Sequence, residues 1–103
     1  MMIAAVMFSK NPIKAGEDQT ITVTVIDVGT NKVIEGATVA ITSNPPDYAT
    51  TYTFTNTTNA DGQMTYTIPL GNATPGDYST SIQISKQGYT PLSEYTHFIV
   101  LPS

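Results

Sequence analysis

Apolar and polar residues alternate with a period of two over most of this chain. In TITVTVIDV (20–28), Ile21, Val23 and Val25 fall on one side and Thr20, Thr22 and Thr24 on the other. The same pattern groups Ala37, Val39 and Ile41 within 33–43, and Tyr52 and Phe54 within 50–55. It also groups Met64, Tyr66 and Ile68 within 63–68, and Tyr78, Ile82 and Ile84 within 78–85. IAAVMF (3–8) and EYTHFIVLP (94–102) are the first and last strand segments. Between them lie breakers. GTNK (29–32) suits the positive φ of a tight turn, and the two prolines of NPPDYA (44–49) would each remove a ladder donor. NTTNADG (56–62), PLGNATPGD (69–77) and KQGYTP (86–91) interrupt the rest. About seven short strands at roughly 8–12-residue spacing predict an all-β sandwich of two antiparallel sheets, each with one face to water.

Composition narrows the class. At 103 residues the chain is expected to form a single domain over 1–103. Only 12% of residues are charged, against about 25% in ordinary globular domains; threonine, serine and asparagine take their place. Such a neutral, hydrogen-bonding surface is expected of an extracellular or cell-envelope β module. Net charge is −4, and the basic residues are Lys10, Lys14, Lys32 and Lys86, with no arginine. They form no cluster of the kind that holds phosphate backbones, which argues against nucleic acid. No apolar run approaches the ~20 residues a membrane helix needs, which argues against membrane insertion. Cysteine is absent, which removes disulfides, thiolate metal sites and thiol nucleophiles. The opening MMIAAVMFSK lacks a basic leader and a small-residue cleavage site. It reads as the first strand of a domain excised from a larger multidomain protein.

Three segments, in order, carry a family resemblance. ITVTVIDVGTNKVIEGATVAI (21–41) resembles the strand, Asp, short turn and V-x-G-A-x-V hairpin of bacterial and archaeal immunoglobulin-like modules. TNADGQMTYTIP (58–69) resembles their T-(N/D)-A-(D/N)-G turn and alternating strand. PGDYSTSIQISKQGY (75–89) resembles their penultimate strand. The chain is thus similar to Big/invasin-type domains and, close to them, to carboxypeptidase regulatory-like domains. The resemblance implies an immunoglobulin-like Greek-key sandwich, with neighbouring domains of the parent chain as partners and a protein or polysaccharide ligand at the cell surface. It also implies a repeated, non-catalytic structural or cell-adhesion role; an accessory carbohydrate-binding module of an extracellular hydrolase is the alternative. Antibody-type domains differ, since this chain has no cysteine pair and no tryptophan. Tyr78, after Gly76-Asp77, occupies the place of a tyrosine corner, whose hydroxyl bonds back to nearby backbone.

The chemistry-bearing residues are sparse. His97 is the sole histidine and lacks the partners a zinc site requires. No G-x-S-x-G elbow marks a nucleophile, and no acid sits in an apolar run as a glycosidase acid does, so no catalytic residue and no cofactor is expected. Asp61 and Asp77 fall in turns and are weak calcium candidates; ordinary Asp-Gly and Gly-Asp turn chemistry is the stronger reading of both. Tyr48, Tyr89 and Tyr95 near loops or strand ends are candidates for a sugar-stacking platform, set against plain edge packing. Asn56 (NTT) and Asn72 (NAT) are glycosylation sequons. Some adhesin modules form a Lys–Asn or Lys–Asp cross-link. Lys10 and Lys14 would be the donors here, but EYTHFIVLPS offers no acceptor.

Overall fold

A computed structural model describes residues 1–48 and 50–103. Among them lie nine strands and no helix: β1 (Met2–Phe8), β2 (Ile13–Lys14), β3 (Asp18–Asp27), β4 (Lys32–Val33), β5 (Thr38–Asn44), β6 (Tyr52–Thr57), β7 (Gln63–Pro69), β8 (Gly76–Ser85) and β9 (Leu92–Leu101). One sheet centres on β3, with β1 along one edge and β7 and β4 along the other. The second sheet has the order β2-β9-β8-β5-β6. Every pairing is antiparallel except β2 with β9. The expected all-β, two-sheet arrangement is present.

Nine strands replace the expected seven because two short pieces carry no periodic signal. β2 is a two-residue parallel rung against Val100 and Leu101. β4 comes from the segment 33–43, which the alternation joined into one strand. That segment instead pairs Lys32–Val33 in the first sheet and Thr38–Asn44 in the second. The crossing between them is bracketed by Thr58. Its buried hydroxyl donates to the Ile34 carbonyl (2.6 Å) and accepts the Ala37 N–H (2.9 Å), while its own carbonyl accepts the Gly36 N–H (3.0 Å). Of the predicted break at 44–49, residue 49 lies outside the described residues.

The core takes the faces that the alternation assigned on β3, β5 and β8, and on β9, where the sequence assigned no face, it takes the side of Phe98 and Val100. Ile21, Val23 and Val25 of β3, Val39 and Ile41 of β5, Ile82 and Ile84 of β8, and Phe98 and Val100 of β9 are all buried. Each such aliphatic or aromatic residue contributes roughly 1.5–3 kcal/mol by leaving water. Aromatic rings run through the middle: Phe8 meets Phe98 at 5.2 Å, Phe98 meets Tyr78 at 5.1 Å, and Tyr78 meets Tyr52 at 6.5 Å. Tyr52, Phe54 and Tyr66 are only half-buried. Phe54 stacks on Tyr66 at 4.8 Å, closing the side where β6 faces β7.

Shape follows from strand length. A ten-residue strand such as β8 spans about 33 Å, which exceeds the two short dimensions of the 44 × 21 × 17 Å molecule. The strands therefore run along the long axis and define two poles. The Asp27 pole gathers Met1, the 28–31 turn, the 34–37 crossing, the 58–62 turn and the 86–91 loop. The Pro45 pole gathers residues 9–12, 45–48, 50–51 and 70–75 and the end of β9.

Candidate functional site

The Asp27 pole holds a polar cluster that joins the two sheets. Asp27 closes the β3–β4 turn locally, its Oδ1 accepting the N–H groups of Gly29 (2.8 Å) and Thr30 (3.2 Å). Its Oδ2 accepts the hydroxyl of Tyr89 (2.5 Å), reaching across from the β8–β9 loop. This bond ties the first sheet to the second. The Tyr89 hydroxyl, with help from the two backbone donors, holds the Asp27 carboxyl below its usual range. The same bond, with partial desolvation, raises the Tyr89 hydroxyl above its usual value.

Those directions set the pH window of the tie. A depressed carboxyl gives stability that is present above its unfolded pKa and lost as pH falls through the folded value. A raised phenol gives stability that is present below its unfolded pKa and lost as pH rises through the folded value. The melting temperature of Tyr89→Phe is therefore expected to fall below wild type on the plateau between the two. The two curves should converge at the acid limit and again in strong alkali. Differential scanning fluorimetry across pH checks this, and a constant offset at every pH would exclude the tie.

Beside Tyr89 opens a cleft of about 450 Å³, lined by Thr38, Ser85, Lys86, Gln87, Tyr89 and Pro91 among others. It offers two hydroxyls, an amide, an ammonium and a ring whose orientation is fixed through Asp27. The Lys86 ammonium lies above Gly36, 3.1 Å from where a Cβ would sit. Sequence reasoning singled out Tyr89 here but missed Lys86 and Gln87. The only local signal was the K-Q-G-Y turn itself.

The three tyrosines expected to form one platform do not meet. Tyr48 is 67% exposed in the loop at the Pro45 pole. Tyr89 is at the opposite pole. Tyr95, 74% exposed, lies between them on the outer face of β9, opposite Ser81. The sheet pairing separates them, because the β5–β6 and β8–β9 connections leave opposite ends of the second sheet.

Asp61 and Asp77 are likewise at opposite poles. Asp61 is part of a tight turn in which the Asn59 Oδ1 accepts the N–H groups of Asp61 (2.9 Å) and Gln63 (3.1 Å). Asp77 Oδ1 lies 3.0 Å from His97 Nδ1, a cross-strand pair on the exposed face. His97 thus points away from the core that Phe98 and Val100 enter. Among the described residues no three His, Cys, Asp or Glu side chains gather as a metal site would. Asn56 falls on β6 rather than in a loop, and its Oδ1 accepts the Thr57 N–H (2.8 Å). Asn72 is exposed in the loop at the Pro45 pole. Lys10, weighed as a cross-link donor, pairs with Glu17 at the surface.

No protein-family model matches the chain, and no curated protein matches it. Among solved structures, the chain is similar to the PmoD soluble domain from Methylocystis sp. ATCC 49242 (Rockwell). The two share 12% identity, with a TM-score of 0.54 over 97% of this chain and 90% of that one. At that identity the likeness is one of fold alone.

Proposed function

We propose that the chain is a non-catalytic, Greek-key immunoglobulin-like module of a larger secreted or cell-surface protein, acting as a structural spacer or adhesion unit. One observation carries the reading. The first long strand begins at the Asp27 pole and the last finishes at the Pro45 pole, 44 Å being the longest dimension. Chain continuing from either strand departs along the long axis, as in a row of modules. The radius of gyration, 14.2 Å, exceeds the ~13 Å of a compact domain of this size, as a rod-like link requires. The outer faces, rich in Thr and Ser and poor in charge, suit exposure outside the cell.

The test is to fractionate the source cells and find, by peptide mass spectrometry, the polypeptide that contains QGYTPLSEYTHFIVLPS. A large envelope or secreted chain is expected. A free 11.0 kDa cytosolic species would end this reading. The cleft beside Tyr89 favours a second reading, accessory binding of polysaccharide. Affinity gel electrophoresis decides it: retardation on at least one polysaccharide, abolished by Tyr89→Ala, is required, and unchanged mobility on all of them rejects it.

A further inference from the structure

We infer that β1 is the pairing edge for a second copy of this chain, joining two β3-centred sheets into one continuous sheet across a two-fold axis. The inference stands on the edge itself and does not depend on the proposed cellular role.

The four long sheet margins are treated differently. On β7, the residues whose polar backbone faces outward include Pro69, which has no N–H to offer, and the Gln63 carbonyl already accepts the Asn59 N–H (2.9 Å). On β6, the outward Thr57 N–H is taken by the Asn56 side chain (2.8 Å). The margin of β9 is covered by β2 at Val100 and Leu101, and the Asn11 Oδ1 accepts the Ile99 N–H (3.0 Å). β1 has none of these devices. It pairs with β3 alone, in a continuous register from Met2↔Asp27 to Phe8↔Ile21 that contains no bulge, and it carries neither charge nor proline. Bare, regular, apolar edges are what natural sheets avoid leaving uncovered.

The hydrogen-bond phase shows which groups are free. Val28 N–H donates to the Met1 carbonyl (2.9 Å) and Ser9 N–H to the Thr20 carbonyl (2.8 Å), both in register with β1–β3. Odd-numbered residues of β1 therefore turn their backbone groups toward β3, and Met2, Ala4, Val6 and Phe8 turn theirs outward. The side chains match this edge. Ile3 is 45% exposed and Met7 67% exposed on the outer face, while Ala4, Val6 and Phe8 are only half-covered on the inner one.

A second copy is the occupant that this edge fits. Full antiparallel overlap of 2–8 with itself allows one register, centred on Ala5. It sets Met2 opposite Phe8, Ile3 opposite Met7 and Ala4 opposite Val6, which keeps inner residues on the inner face and outer ones on the outer. The outward even-numbered residues face each other as bonded pairs, each exchanging two hydrogen bonds. Ala5 meets its own copy at the unbonded position, where a small side chain is needed. No like charges are opposed, although the net charge of −4 otherwise resists association.

Sedimentation equilibrium over a concentration series is expected to show a reversible monomer–dimer equilibrium. The chain has no cysteine, so an introduced thiol can be oxidised only against its copy. Ala5→Cys should form a disulfide dimer rapidly, since unbonded antiparallel partners lie about 4.5 Å apart at Cα, within disulfide reach. Met7→Cys should not, because the two copies of that residue are offset by four positions, about 13 Å. Ala5→Lys, on the exposed face, should raise the dimer Kd by up to about fivefold by opposing like charges at the axis. Ala4→Pro deletes an outward donor and should abolish the dimer; should it fail to fold, Ala5→Lys still decides. A monomer at every concentration, a dimer indifferent to Ala5→Lys, or equal crosslinking at positions 5 and 7 overturns the inference.

Discussion

Phe98→Ala is expected to remove about 3–5 kcal/mol of unfolding free energy, a large part of the 5–15 kcal/mol that a domain of this size possesses. Phe98 is fully buried and central to the aromatic row, with Phe8 on one side and Tyr78 on the other. Truncation removes the ring from water-free packing and leaves a void that neighbouring rings cannot fill without leaving their own contacts. β9 is poorly placed to collapse into it, because β8 fixes it along its whole length from Gly76↔Val100 to Ile84↔Leu92. The companion variant Tyr78→Phe keeps the ring and deletes only the hydroxyl, which donates to the Thr74 carbonyl (2.8 Å). Burial pushes the pKa of that hydroxyl up, keeping it a donor. Its loss should cost about 1 kcal/mol. Urea titration with an unchanged m-value reads both. A Phe98→Ala loss no larger than that of Tyr78→Phe would mean that the row is loosely packed.

Why the pattern marked the inward faces of several strands but not what those faces meet has a physical basis. A period of two reports which side of a strand faces apolar neighbours, so Ile21, Val23, Val25, Ile82 and Ile84 were legible from the sequence, and all are buried. Tyr78 was legible too, by the same alternation and by its tyrosine-corner place after Gly76-Asp77. Period says nothing about partners. Gln19 lies just before the 20–28 alternation and carries no periodic signal, yet it is fully buried. Its amide accepts from Ser9 Oγ (2.9 Å) and the Lys10 N–H (3.2 Å) and donates to the Lys10 carbonyl (2.5 Å). Thr58 reads as part of a turn and proves to bracket a crossing between sheets. The candidate site was less legible still. Tyr89 was visible as an aromatic in a loop, but its anchor Asp27 is 62 positions away in the chain. The tyrosine platform failed for the same reason: residues alike in type were assigned to one surface before strand order had placed their loops at opposite poles.

Gly62→Ala tests the turn in NADG, and the expected loss is about 3 kcal/mol. Two terms contribute. Gly62 has φ +72, a left-handed conformation costing an L-residue about 1–2 kcal/mol. A methyl there would also lie 2.6 Å from the Val33 Cβ and 3.0 Å from the Val25 carbonyl oxygen. That carbonyl accepts the Ile34 N–H (2.9 Å), so relieving the clash loosens β4 from β3 just where the chain leaves for the second sheet. Gly16→Ala separates the terms. Gly16 has φ +99 with nothing within 4 Å of an added Cβ, so it carries strain without a clash. Backbone strain alone ranks Gly16→Ala as the costlier change, since its φ is further from the left-handed minimum near +57°. The close approach at Gly62 reverses that order. Thermal or urea unfolding of the two variants side by side is decisive. Gly62→Ala as the less damaging of the pair would mean that the 58–62 turn yields to an added methyl without moving β4, and that the β3–β4 corner does not depend on the glycine's missing side chain.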